Sequence, residues 1–168
     1  MSSIKGSCLC GSVHFEYEAE PVLTAIGHCR HCQKASGTAS SVNVVVPKPS
    51  LHVEGRTLWT FKDVGDSGKA LQRLFCRNCG SPIVSYTDDM PELAFVKAGT
   101  LEDVSGLAPS LEIWCESVQP WIPADPGRAP RLTAHRASLP GILADLPGEK
   151  LHKASVAWRV AFEPRFLY

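Results

Sequence analysis

Gly6-Ser7-Cys8-Leu9-Cys10-Gly11 sets two cysteines either side of one residue and closes on glycine, and Phe75-Cys76-Arg77-Asn78-Cys79-Gly80 repeats the arrangement as C-x-x-C. A third pair, Cys29 and Cys32, is also C-x-x-C; only Cys115 stands outside the three pairs. Two thiolates this close can face one ion when the backbone turns tightly, and two such pairs supply the four sulfurs of a tetrahedral zinc site. The trailing glycines Gly11 and Gly80 let the chain turn under the metal without a Cβ clash. The spacing therefore predicts at least one bound zinc.

Disulfides are the competing reading, and redox compartment decides between the two. The opening stretch MSSIKGSCLCGSV has no basic segment followed by an apolar one, so no secretory leader is expected. No apolar run reaches the ~18 residues of a membrane span. The expectation is a cytoplasmic protein with reduced thiols and no membrane partner. Cys115 reads as a small core residue, the usual place of a free cysteine.

The chain has 168 residues, with 17 Lys and Arg against 17 Asp and Glu. That length predicts one domain, and zero net charge argues against a nucleic-acid partner. Lys5, Arg30, Lys34, Arg73 and Arg77 lie near the cysteine pairs and can offset thiolate charge, or serve as ordinary solvated surface.

Short strands dominate. Ser12–Glu18 alternates, putting Val13, Phe15 and Tyr17 on one face and His14 on the wetter one. Val42–Val46 is β-branched and stops at Pro47 and Pro49; Leu51–Glu54 and Thr57–Phe61 read as two strands joined around Gly55 and Arg56. A loop at Gly65–Gly68 precedes Ala70–Phe75, which leads into the Cys76–Cys79 knuckle, and Pro82–Tyr86 leaves it. Leu93–Ala98 and Leu111–Cys115 follow as strands. One short helix is expected over Gln33–Ser36, ended by Gly37. Trp59, Trp114 and Trp121 read as core, with a pocket wall as the alternative. From Pro123 to Gly148 the chain is rich in Pro, Ala, Gly and Arg and reads as a poorly ordered or extended tail, with one more strand over Leu151–Phe162.

Five ordered stretches add a resemblance. Gly6–Val13, His28–Gly37, Phe75–Pro82, Val96–Asp103 and Ile113–Ser117 with Pro120-Trp121 resemble the glutathione-dependent formaldehyde-activating enzyme family, which includes centromere protein V. The resemblance implies an all-β zinc fold, the β-tent, over residues 4–123, leaving 124–168 as an extension of unknown role. It implies a structural zinc on Cys8, Cys10, Cys76 and Cys79, and a second, catalytic zinc at the Cys29–Cys32 segment. The activity it implies is that of a carbon–sulfur lyase joining formaldehyde to the thiol of glutathione as S-hydroxymethylglutathione. Arg30 and Lys34 are candidates to hold the glutathione carboxylates.

The chain departs from the family pattern twice. Where the family sets the first cysteine of Cys-His-Cys-x-x-Cys, this chain has Gly27; where a histidine is expected before the Ile-Trp pair, it has Glu112. Cys29 and Cys32 alone make a weak site, so His28, His31 or Cys115 can be asked for a further donor. His28 otherwise reads as an outer-layer or surface residue. Two functions stay open: the lyase, and a zinc-stabilised binding module with a degenerate second site. The sequence leaves the oligomeric state open.

Overall fold

The computed structural model describes residues 3–65 and 68–123, with the backbone alone of Arg131 and Leu132. The Leu151–Phe162 strand and most of the tail composition fall outside the described residues. Within them the fold is all-β with one short helix.

Two sheets form. The smaller orders three antiparallel strands as β1 (Ile4–Ser7), β2 (His14–Tyr17) and β5 (Leu51–Glu54). In β2 the predicted alternation holds, with Phe15 and Tyr17 buried and His14 and Glu16 exposed. The larger sheet centres on β3 (Leu23–Gly27), β4 (Ser41–Pro47), β9 (Leu93–Lys97), β8 (Pro82–Thr87), β7 (Ala70–Cys76) and β6 (Leu58–Val64), each antiparallel to the next. On its other side β10 (Leu111–Ile113) runs parallel to β3, and β11 (Arg131–Leu132) parallel to β10.

Strand β4 explains its own apolar run. Val44, Val45 and Val46 are all fully buried because the sheet is covered on both faces. Val44 and Val46 join Val13, Phe15, Tyr17, Ile83, Val84 and Val96 in the core between the sheets. Val45 faces the other way, with Leu23, Ala25, Leu93 and Leu111.

The sheets change over at Gly55. The expected strands on either side of it are present, but they do not pair with each other: β5 joins β2 while β6 joins β7. Gly55 has φ +149°, and a Cβ there would sit 2.4 Å from the Ser12 carbonyl oxygen. Only glycine passes that corner.

Gly6 carries a similar constraint on β1. A Cβ would fall 2.1 Å from the Phe15 ring and 2.4 Å from the Thr100 carbonyl oxygen. Gly6→Ala is expected to cost about 3 kcal/mol, or about 10 °C in melting temperature, because backbone on one side cannot yield. Thermal unfolding followed by circular dichroism checks this; an unchanged midpoint would show that β1 is not held against Thr100.

Helix α1 (Arg30–Ser36) starts one turn earlier than the sequence suggested. Cys29 caps it, its sulfur accepting from the Cys32 N–H at 3.0 Å, and Gly37 ends it in the left-handed conformation at φ 68°. The tryptophan expectation is corrected at two of three positions. Trp59 lies on the outermost strand, 55% exposed with the Arg77 guanidinium over its ring, and Trp121 is 69% exposed.

Candidate metal centre and active-site cleft

The first two knuckles converge although 66 residues separate Cys10 from Cys76. The β1–β2 turn delivers Cys8 and Cys10; the β7–β8 turn delivers Cys76 and Cys79. Gly11 (φ 71°) and Gly80 (φ 77°) both adopt the left-handed conformation, each donating its N–H back to the first cysteine carbonyl of its own pair. All four Sγ atoms lie within 4.8 Å of one another. Cys8 and Cys10 are 3.5 Å apart and Cys10 and Cys76 3.7 Å. Sulfurs sharing a tetrahedral zinc at about 2.3 Å stand about 3.8 Å apart, so the donor set fits that ion.

Donors around the sulfurs favour thiolates. Val13 N–H reaches Cys8 Sγ at 3.3 Å, and the Asn78 amide reaches Cys10 Sγ at 3.3 Å. The Thr57 hydroxyl, 3.2 Å from Cys76 Sγ, holds that thiol down to about 5. The Ser12 hydroxyl at 2.9 Å brings Cys10 down to about 7, whereas burial pushes Cys8 up. A cation among the sulfurs offsets the cost of burying Cys8 ionised.

Cys29 and Cys32 lie elsewhere, at the start of α1. The Cys29 thiol, acting on the Cys32 sulfur, brings Cys32 down to about 7 against the opposing effect of burial, and the positive charges of Lys97 and Arg73 add to it. Cys29 itself is pushed up by the same partnership and by burial. Gly27 faces this pair: a Cβ on it would stand 3.0 Å from Cys32 Sγ. The position where the family pattern sets a third thiol is thus aimed at the pair, but this chain supplies no donor from it. Two sulfurs beside two cations do not fit a three-thiolate catalytic zinc. His31 Nδ1 lies 3.3 Å from Asp63, which also pairs with Arg73 at 3.2 Å, and among the described residues His31 does not gather with Cys29 and Cys32 as a donor group.

The positive charges that act most on Cys32 are those of Lys97 and Arg73. Arg30 instead bonds Gln33, and it lines an open groove with Lys34 and Trp121. A cleft of about 170 Å³ lies over the larger sheet, lined by Arg73, Lys97, Ser85, Phe61 and Ala35. Lys97 is pushed down to about 8 by burial, and its ammonium donates to Asn43 at 2.6 Å. The buried Ser85 hydroxyl has no hydrogen-bond partner among the described residues. No spacing signal marks Arg73, Ser85 and Lys97 as neighbours; they meet only because β7, β8 and β9 are adjacent in the sheet.

His28 is corrected from a surface residue to a buried one, 2% exposed. Its Nε2 lies 3.0 Å from Glu112 Oε2, and Glu112 is also buried. Cys115 is corrected too. It is half-buried beside this pair rather than in the core, with one ligand atom of each residue within 4.8 Å of the others.

The family model for glutathione-dependent formaldehyde-activating enzymes matches residues 3–117. The chain belongs to this family. Among solved structures, a Rhodobacter sphaeroides protein is 24% identical with a TM-score of 0.50, over 61% of this chain and 91% of its own. That identity speaks to the fold alone. No curated protein matches the chain. Among the described residues no helix is long and apolar enough to cross a membrane.

Proposed function

We propose that the chain makes and breaks the carbon–sulfur bond between formaldehyde and a small acidic thiol of the glutathione type, with residues 4–123 as the working domain. The cleft carrying Arg73, Lys97 and Ser85 beside Cys32 is the observation that carries this reading. Arg73 holds a carboxylate of the thiol substrate through a two-pronged contact. The substrate sulfur adds to the carbonyl carbon, and the π electron pair moves to oxygen. Lys97, charged or neutral near pH 8, takes the thiol proton as the sulfur adds and passes it to that oxygen, giving the S-hydroxymethyl product. We read the four-sulfur cluster as a structural zinc, supported by its spacing and donor set, and the protein as cytoplasmic, where reduced thiols stay available for metal.

Gly27 favours a second reading, a zinc-stabilised module that binds such thiols without turnover. Exchange spectroscopy by NMR separates the two, by comparing the interconversion of formaldehyde, glutathione and adduct with and without protein. Faster exchange than the uncatalysed addition supports the lyase; bound glutathione with no acceleration supports the module. Arg73→Ala is expected to raise KM for the thiol about 10-fold or more, the worth of one charge-assisted contact. An unchanged KM would remove the cleft from the account.

A further inference from the structure

We propose that His28, Glu112 and Cys115 form a second metal centre for a borderline divalent cation such as Zn²⁺, separate from both cysteine clusters. Three donor types, N, O and S, meet there from three elements: the end of β3, strand β10 and the 3₁₀ turn Cys115–Ser117. Histidine, carboxylate and thiolate together suit zinc or cobalt. One thiolate and one carboxylate also neutralise a divalent ion, which favours burial.

The backbone is bent to make this meeting. Along a regular strand Glu112 and Cys115 would face opposite sides of the sheet. The sequence predicted such a strand through Cys115, but β10 ends at Ile113. Trp114 instead takes φ 61°, ψ 41°, among the described residues the one non-glycine with positive φ. A bulky residue in that region is a strained outlier, kept where surrounding structure requires it. It breaks the alternation and brings Cys115 round to Glu112.

The surroundings hold the turn in place. Buried Gln33 donates from one amide to the His28 carbonyl (2.6 Å) and the Ser117 carbonyl (2.9 Å), clipping the strand end to the turn. His28 Nε2 meets Glu112, while the buried Nδ1 has no hydrogen-bond partner among the described residues. The two ring nitrogens point apart, so the nitrogen that shares an ion with Glu112 is Nε2, and the buried Nδ1 is left for a water. Three protein donors leave the fourth tetrahedral position to water or a small ligand. Neither Glu112 nor Cys115 draws on the C-x-x-C pair, so the centre is independent of how Cys29 and Cys32 act.

Titration of the folded full chain with Co²⁺ or Zn²⁺, read by elemental analysis after desalting, tests the proposal. The wild type is expected to hold two equivalents. Cys115→Ser and Glu112→Gln are each expected to hold one, while the Cys29→Ser, Cys32→Ser double variant keeps two. A wild type saturating at one equivalent overturns the proposal. So does a second equivalent that survives in Cys115→Ser, or one that leaves with Cys29 and Cys32. X-ray absorption on the wild type answers independently of how any variant folds. A nitrogen and oxygen shell alongside the sulfur shell supports the centre, and sulfur alone overturns it.

Discussion

Cys76→Ser is expected to abolish the native fold, giving insoluble protein or a chain without a cooperative melting transition. Cys76 is fully buried at the end of β7 and lies among Cys10, Ser12 and Thr57. The cluster joins the turn of the smaller sheet to a turn of the larger one. Cys8 and Cys76 are themselves part of the apolar cluster between the sheets. A structural zinc contributes on the order of 10 kcal/mol to folding, against a net stability of about 5–15 kcal/mol for a domain. Weakening it by one of four thiolates therefore removes most of the margin. Chelation at neutral pH should act in the same direction. Circular dichroism against temperature provides the check, and a soluble variant melting at the wild-type temperature would remove the cluster as the clamp between sheets.

Gly27→Cys is expected to add one zinc equivalent per chain over the wild type under reducing conditions. The new Cβ would stand 3.0 Å from Cys32 Sγ and 3.8 Å from the Ser41 carbonyl oxygen. The first distance is tight, and a shift of a few tenths of an ångström by the Cys32 sulfur relieves it. About 3 Å is also the Cβ-to-sulfur separation across a disulfide with an S–S bond near 2.04 Å. Without metal and under oxidising conditions the same variant is expected to lock to Cys32. Outer-shell partners alone change metal affinity about 10–100-fold, so a restored ligand should exceed ~100-fold. Zinc content and titratable thiols that both match the wild type would show that the missing sulfur at this position is not what limits the pair.

The sequence made the four-cysteine cluster legible because each half is a local motif. Spacing and a trailing glycine are both readable over six residues. Strands with one wet face, such as β2, were legible for the same reason: their period is local. What escaped was anything set by strand order. Leu51–Glu54 and Leu58–Val64 sit next to each other in the chain and look like a hairpin, yet Gly55 sends them to different sheets. Arg73, Ser85 and Lys97 come from three strands and share a cleft only through their register. Trp59 and Trp121 misled because a large ring reads as core, whereas an outermost strand leaves Trp59 in solvent and a turn leaves Trp121 there. Gly27 and Glu112 were visible as departures from the family pattern. Their consequences were not: only the fold shows that Gly27 faces Cys32 and that Glu112 meets a buried His28.

The central claim is that Cys8, Cys10, Cys76 and Cys79 hold one zinc that joins the two sheets. Native mass spectrometry of protein purified without added metal, followed by alkylation mapping of the folded chain, tests it most directly. The account predicts a mass with at least one zinc retained, and protection of those four cysteines that is lost together with the metal on chelation. A folded, metal-free chain in which the four alkylate as readily as Cys29 and Cys32 would contradict it.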